Sequence, residues 1–129
     1  MTGFENIKRN FGFGCMRLPM KGAEVDYDEF TRMVDMYMDA GFNYFDTARV
    51  YLEGQSETAI RDCIAKRYPR ESFILTDKLS RNLFNTAEEV RPLFEKQLES
   101  CGFRHLSNAR AEQEHLREVQ ALPRIRAGA

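Results

Sequence analysis

The chain has 129 residues, a length that allows one domain with a hydrophobic core. Its formal net charge is −1, from 19 Lys and Arg against 20 Asp and Glu, so the composition provides no electrostatic case for binding nucleic acid or an anionic membrane. No segment approaches the roughly 20 apolar residues of a membrane span, and residues 1–10 lack the apolar stretch of a secretory signal, so we expect a cytoplasmic protein.

The three cysteines, Cys15, Cys63 and Cys101, are far apart and odd in number. This spacing favours neither a disulfide framework nor a metal site of the C-x-x-C type. We therefore predict reduced thiols in buried or ordinary positions and no bound metal. Cys15 is a separate case, because it follows a predicted strand whose carboxyl end should face a functional site.

The first predicted strand covers residues 11–16, where glycine alternates with bulky side chains. Glycine within a strand lets another backbone or a ligand approach closely. Gly12 and Gly14 do not form a G-x-G-x-x-G phosphate loop, because Arg17 occupies the position of the third glycine and no helix begins there. A dinucleotide-binding loop of the Rossmann type is therefore excluded.

The first helix is predicted to begin near Asp26, which stands three residues before Glu29 in a pattern similar to a capping box. Its apolar face is predicted from helical spacing to contain Phe30, Met33, Val34, Tyr37 and Met38. Gly41 suits the end of this helix. Residues 42–46 are then predicted to form the second strand.

The second helix is predicted to be capped by Ser56 or a neighbour, and to end at Tyr68, before Pro69. Its apolar stripe contains Ala59, Ile60, Cys63 and Ile64. Residues 72–78 form the third predicted strand. The order so far alternates strand and helix, which predicts a parallel sheet with right-handed crossovers.

The third helix is predicted from Thr86 and Glu89, which form a second capping-box pattern. Its inner face contains Val90, Leu93, Phe94 and Leu98. Pro92 lacks a backbone donor, so we expect a bend or a delayed helix start. Gly102 closes the helix.

Three polar side chains are predicted to meet where parallel strands end. Asp46 ends the second strand, Tyr51 follows five residues later, and Lys78 ends the third strand. Singly, each residue also fits an ordinary role, as a turn acid, a packing aromatic or a solvated charge. Together they predict a proton-donating site, because a lysine ammonium beside a tyrosine hydroxyl makes the hydroxyl a better acid.

This pattern resembles the aldo-keto reductases over roughly residues 10–102. The matching segments are FGFGCMRLP at residues 11–19, FDTA at 45–48, Tyr51, GQSE at 54–57 and the strand that carries Lys78. The resemblance implies the α/β fold of a (β/α)8 TIM barrel. Because such barrels typically need about 250 residues, we expect only the first three βα units, as a fragment with an incomplete barrel.

The resemblance also implies an NAD(P)-dependent oxidoreductase that reduces aldehydes or ketones. Tyr51 would protonate the carbonyl oxygen of a small-molecule substrate, Lys78 would assist it, and Asp46 would pair with Lys78 near the nicotinamide. Gly14, Cys15 and Met16 would lie near the nicotinamide ribose of NADP or NAD. The residues around Cys15 are similar to a microbial branch that often has a C-terminal 4Fe-4S segment, but no clustered cysteines are present to bind a cluster.

Residues 103–129 depart from the family pattern, because they lack the alternating or β-branched run of a buried strand. The family has a catalytic histidine in its fourth strand, and neither His105 nor His115 lies in such a context. If the possible codons for residues 109–114 are read one nucleotide later, they can encode a series of residues that is similar to the family's strand with the catalytic histidine. We therefore predict two segments, a partial barrel over 1–102 and a divergent tail over 103–129 that is frameshifted or disordered.

Two functions follow as expectations. In the first, the chain is an aldo-keto reductase fragment that is inactive alone. In the second, it is a non-catalytic half-barrel that associates with itself or another fragment through exposed strand edges. The first predicts marginal stability, association or aggregation, and the second predicts dimerisation with a defined stoichiometry.

Overall fold

The computed structural model describes residues 5–103, in which strands and helices alternate as the sequence predicts. The elements are β1 (Gly12–Gly14), β2 (Met20–Lys21), β3 (Glu24–Val25), α1 (Tyr27–Asp39), β4 (Tyr44–Ala48), α2 (Gln55–Ile60), β5 (Ile74–Lys78) and α3 (Val90–Ser100). β1, β4 and β5 form a parallel sheet in that order, and β2 and β3 form a separate antiparallel hairpin that was not predicted. The three βα units confirm the predicted fold class.

The register of the parallel sheet brings the ends of its strands to one edge. Gly14 pairs with Asp46 between β1 and β4, and Ala48 pairs with Lys78 between β4 and β5. Since the strands are parallel, their carboxyl ends and the loops that follow lie together. This edge is where the sequence places its candidate site.

Helix α1 begins and ends where local signals predict. The Asp26 side chain accepts a hydrogen bond from the Glu29 backbone N–H over 3.1 Å, so Asp26 is the N-cap. Gly41 follows with a φ of +92°, a left-handed conformation that favours glycine. The buried face includes Phe30, Val34 and Tyr37.

Helix α2 differs from its prediction at the start. Ser56 lies inside the helix, fully buried, and the N-cap is the neighbouring Gly54, whose φ is +89°. Of the two predicted alternatives, Ser56 or a neighbour, Ser56 is therefore wrong as the cap, and Gly54, two residues earlier, takes that place. The Ser56 hydroxyl instead contacts β4 and the end of β1, as described below. The predicted apolar stripe is confirmed, because Ala59, Ile60, Cys63 and Ile64 are all buried, the last two in a π-helical continuation over Arg61–Ala65.

Helix α3 confirms the delayed start expected from Pro92. Thr86 and Glu89 form the predicted capping box around a 3₁₀ turn, Ala87–Glu89, and the α-helix begins only at Val90. Pro92 thus lies in the first helical turn, where its missing N–H breaks no hydrogen bond. Gly102 follows the helix with a φ of +88°.

The inner face of α3 matches its prediction only in part. Leu98 is buried and Phe94 packs partly buried against the core, whereas Val90 and Leu93 are only half-buried. Gln97, which was not predicted, is 2% exposed. A polar side chain therefore occupies a position where the helix contacts the sheet.

Aromatic side chains fill the core between the sheet and its helices. Phe13, Tyr37 and Phe45 contact one another with ring centroids 5.1 to 5.7 Å apart, and Phe73 extends the cluster from Phe45. Such offset and edge contacts are the favoured aromatic arrangements. Among the helices of residues 5–103, none has both the length and the apolar character needed to cross a membrane.

The divergent tail predicted over residues 103–129 lies, except for Phe103, outside the described residues, as do His105 and His115. Phe103 is buried and packs against Phe73, with ring centroids 6.3 Å apart. The division of the chain at residue 102 therefore stays a prediction.

Candidate active site

Asp46, Tyr51 and Lys78 come together at the carboxyl edge of the sheet. The Lys78 ammonium donates one hydrogen bond to Asp46 Oδ1 and another to the Tyr51 hydroxyl, the latter over 3.0 Å. The three residues come from two neighbouring strands and the turn after β4. The predicted meeting of these side chains is thus present, and their catalytic roles stay a prediction.

Lys78 remains a cation in this arrangement. Burial by itself lowers the pKa of Lys78, but the hydrogen bonds to Asp46 and Tyr51 outweigh it, so the pKa is raised overall. The side chains of Lys78 and Asp46 are 39% and 35% exposed. The ion pair therefore lies at a surface that a small molecule can reach.

The turn that carries Tyr51 has an unusual backbone. Leu52 and Glu53 have φ angles of 51° and 56°, and Gly54 follows at 89°. Three successive residues thus adopt the left-handed region, where each non-glycine residue costs on the order of 1 kcal/mol or more. The surrounding contacts must hold this turn in place.

A buried ion pair spans the same turn. Arg49 donates to Glu57 Oε2 over 2.8 Å and to the Ser100 hydroxyl over 3.0 Å. The Glu57 side chain is completely buried and that of Arg49 is 25% exposed. The segment from the end of β4 to the first turn of α2 is therefore closed by a charge-assisted hydrogen bond.

Ser56 connects α2 to both neighbouring strands. Its hydroxyl donates to the Cys15 carbonyl over 2.8 Å and lies 2.7 Å from the Thr47 hydroxyl. The Cys15 N–H in turn donates to the Asp46 carbonyl over 2.8 Å. These buried contacts fix the end of β1 beside Asp46.

Besides Asp46, three residues are predicted to contact a cofactor, and they occupy different surroundings. A Cβ placed on Gly14 would meet nothing within 4 Å, so open space lies beside this position. Met16 is 56% exposed, whereas the Cys15 thiol lies in the core, where burial and then the charge of Asp46 raise its pKa to about 12. Any contact from Cys15 to a ligand must therefore come from its backbone.

A second acidic group lies behind the site and was missed by the sequence analysis. Glu57, Asp77 and Cys101 bring one carboxylate or thiol atom each to within 4.8 Å of one another. Burial and the nearby charge of Glu57 raise the pKa of Asp77 to about 8. The neighbouring Glu57 carboxylate disfavours a second negative charge, so Asp77 keeps its proton to a higher pH than an ordinary aspartic acid.

The predicted absence of a metal stays a prediction. Within the acidic group, Glu57 is already paired with Arg49. The position of Asp77 in this group could have been inferred from the sequence. Side chains alternate along a strand, so the residue before Lys78 faces away from Lys78 and towards the helices.

Gln97 links this acidic group to the site. Its Nε2 donates to the Lys78 backbone carbonyl over 3.0 Å and lies 3.2 Å from Glu57 Oε1. The Gln97 side chain is therefore the connection between α3, α2 and the end of β5. No motif in the sequence marks it.

Comparisons with known proteins agree with this fold. A model described as the aldo/keto reductase family matches residues 10–108. Among solved structures, aldo-keto reductase AKR11C1 from Bacillus halodurans, in its holo form, is 24% identical with a TM-score of 0.57, over 72% of this chain and 32% of that chain. The thermostable aldo-keto reductase Tm1743, in complex with the inhibitor epalrestat, is 18% identical with a TM-score of 0.59, over 88% of this chain and 49% of that chain.

The chain thus spans about a third to a half of the length of these two solved structures. At these identities the likeness concerns the fold. No curated protein sequence matches the chain.

Proposed function

The chain belongs to the aldo/keto reductase family, and from this membership we propose that it carries the proton-donating part of a nicotinamide-dependent reductase of aldehydes and ketones. The observation that supports the proposal is the hydrogen-bonded unit of Asp46, Lys78 and Tyr51 at the carboxyl ends of β4 and β5. TIM-barrel enzymes place their chemistry at this end of the sheet.

Each member of the unit has a chemical role in this proposal. Tyr51 gives its hydroxyl proton to the substrate carbonyl oxygen, so that negative charge does not build up there. Lys78, held as a cation, stabilises the phenolate that remains on Tyr51. Asp46 orients Lys78 and keeps it charged.

NADPH or NADH, when bound, supplies the hydride that this chemistry needs. The surroundings of Gly14 support such a ligand, because Gly14 pairs with Asp46 in the sheet and has open space beside it. Gly14, the Cys15 backbone, Met16 and Asp46 would hold the nicotinamide end. No contact to the rest of the cofactor is assigned, since the chain spans only part of its solved relatives.

The experiment that tests this function is a fluorescence titration of the purified chain with NADPH and with NADH, followed by addition of an aromatic aldehyde. Binding and turnover that are lost in Tyr51→Phe would support the proposal. Tyr27→Phe is the matched control, because Tyr27 is an exposed tyrosine at the start of α1. Turnover that survives in Tyr51→Phe would contradict the role of Tyr51.

A second candidate function is association through the sheet edges without catalysis. Within residues 5–103, β1 and β5 each pair with β4 alone, and Phe11 and Met16, on either side of β1, are 64% and 56% exposed. Unpaired edges and exposed apolar side chains favour pairing with another chain. Sedimentation over a range of concentrations tests this candidate: a defined dimer without nicotinamide binding would favour it over the enzyme.

A further inference from the structure

The turn that carries Tyr51 is closed by a pair of residues that flank it. Arg49 lies two residues before Tyr51 and Glu57 six residues after it, and their side chains meet over 2.8 Å. Because Glu57 has no exposed side-chain surface and Arg49 is only 25% exposed, water competes little for this contact. The ion pair therefore restrains both ends of the Tyr51 turn.

The backbone between Arg49 and Glu57 is strained, so the ion pair is needed to hold it. Leu52 and Glu53 are held in left-handed conformations that free L-residues rarely adopt. Gly54 passes close to the guanidinium, since a Cβ placed there would lie 3.9 Å from Arg49 Nη1. If the ion pair opened, Leu52 and Glu53 would relax, and Tyr51 would move with them.

The Glu57 carboxylate is also linked, through Gln97, to the end of β5 that carries Lys78. Gln97 donates both to Glu57 Oε1 and to the Lys78 carbonyl. Its own Oε1 is buried and has no hydrogen-bond partner among the described residues. A buried amide oxygen left in this way costs stability.

We propose that Glu57 is a positioning residue, which holds Tyr51 and Lys78 within hydrogen-bonding distance through Arg49 on one side and Gln97 on the other. The inference rests on the proposed function, because it concerns the proton donor of that reaction. Glu57 acts through these two neighbours and does not itself touch the tyrosine–lysine pair.

The test measures how reactive Lys78 is when each link is cut separately. Arg49→Met removes the link to the Tyr51 turn, and Gln97→Met removes the link to the Lys78 carbonyl at nearly unchanged volume. Trace acylation with acetic anhydride, read by peptide mass spectrometry from pH 7 to pH 11, compares Lys78 with Lys66. Lys66 is the internal reference, because it pairs with Asp62 on the surface, over 3.1 Å, with 65% of its side chain exposed.

We expect the acylation rate of Lys78 relative to Lys66 to rise about three- to tenfold in both variants, and its pH midpoint to fall, as Lys78 loses a well-aligned partner. Electrostatics alone predicts the opposite for Arg49→Met, since removal of a nearby cation favours the protonated lysine. Arg49→Lys, which keeps a cation beside Glu57, should return the ratio towards that of the unmodified protein.

Asp35→Asn is the control for loss of an ion pair as such, because Asp35 accepts from Arg67 over the same 2.8 Å on another side of the fold. It should leave the Lys78 ratio unchanged. An unchanged ratio in folded Gln97→Met overturns the proposal, even if Arg49→Met fails to fold. Since the labelling needs neither cofactor nor substrate, this outcome is distinct from a failure of the proposed reductase activity.

Discussion

Lys78 contacts Tyr51 in two ways, because its ammonium lies 3.0 Å from the tyrosine hydroxyl and 5.0 Å from the centre of the tyrosine ring. A hydrogen bond to the hydroxyl and a cation–π contact to the ring face favour different placements of the cation. The ammonium therefore sits beside the tyrosine in a restricted position, with Asp46 on its other side.

Lys78→Met should separate stability from activity. The Lys78–Asp46 pair is more than one-third exposed at both side chains, so its loss should change the free energy of unfolding by no more than about 1 kcal/mol. Carbonyl reduction, where the protein supports it, should fall by about 100-fold or more, since the general acid loses its cation. Urea unfolding and NADPH oxidation are the two measurements.

Lys66→Met is the control for Lys78→Met, because it removes a surface ion pair away from the site. Equal effects of the two substitutions on NADPH oxidation would contradict the role assigned to Lys78.

Asp77→Asn should make the protein more stable at alkaline pH. Burial and the charge of Glu57 raise the folded-state pKa of Asp77 to about 8, above the unfolded value of about 3.9. The folded state therefore holds a proton that the unfolded state releases, and Asp77 costs no stability below pH 4. Its cost grows between about pH 4 and pH 8 and is complete above that.

The measurement for Asp77→Asn is the difference in unfolding free energy between variant and unmodified protein across that pH range. The difference should favour the variant by at least about 1 kcal/mol at pH 8, the value of a one-unit shift in pKa. The groups that face Asp77 are Glu57 from α2 and Cys101 after α3, with the Lys78 N–H beside it. A difference that stays constant with pH would show that Asp77 ionises normally.

Much of the fold was predictable because its signals are local. Asp26 and Thr86 each cap a helix through a residue three positions later, and Gly41 and Gly102 end helices in left-handed conformations. These interactions depend on a few neighbouring residues. The same local rule failed at Ser56, because its hydroxyl makes buried contacts to Thr47 and Cys15 that only the folded sheet creates.

The contacts of the candidate site also fall into those that could be predicted from the sequence and those that could not. Asp46 and Lys78 could be predicted to meet, since both lie towards the carboxyl ends of neighbouring parallel strands. The prediction that Asp46 ends its strand is wrong, because β4 continues for two more residues to Ala48. The contacts of Glu57 with Gln97 and Asp77 could not be predicted, because they join helix positions to a strand end across a distance that no periodic pattern specifies. The hairpin of β2 and β3 was missed because each strand has only two residues, too few for an alternation to be visible.

The cysteines should be unreactive in the folded protein. Burial, as the first cause, raises the pKa of all three thiols, that of Cys15 to about 12. Because the thiolate is the reactive form, a disulfide reagent such as DTNB at pH 8 should label the native protein very slowly. In denaturant it should titrate the three cysteines of the sequence at once. One rapidly labelled thiol in the native state would mean that a cysteine is exposed or activated.

Two glycine substitutions should have opposite effects on stability and on ligand binding. Gly54→Ala places a side chain at a φ of +89°, where the new Cβ meets only an ordinary contact with Arg49 at 3.9 Å. The cost is therefore conformational, about 1 to 2 kcal/mol in urea unfolding.

Gly14→Ala lies in a strand and meets nothing within 4 Å, so its stability should change by less than about 0.5 kcal/mol. Its methyl group would instead enter the open space beside Asp46 and should weaken NADPH binding several-fold if the nicotinamide lies there. Fluorescence titration of both variants decides the matter: unchanged affinity in Gly14→Ala would remove β1 from the proposed cofactor site, because the added methyl group has no other neighbour to disturb.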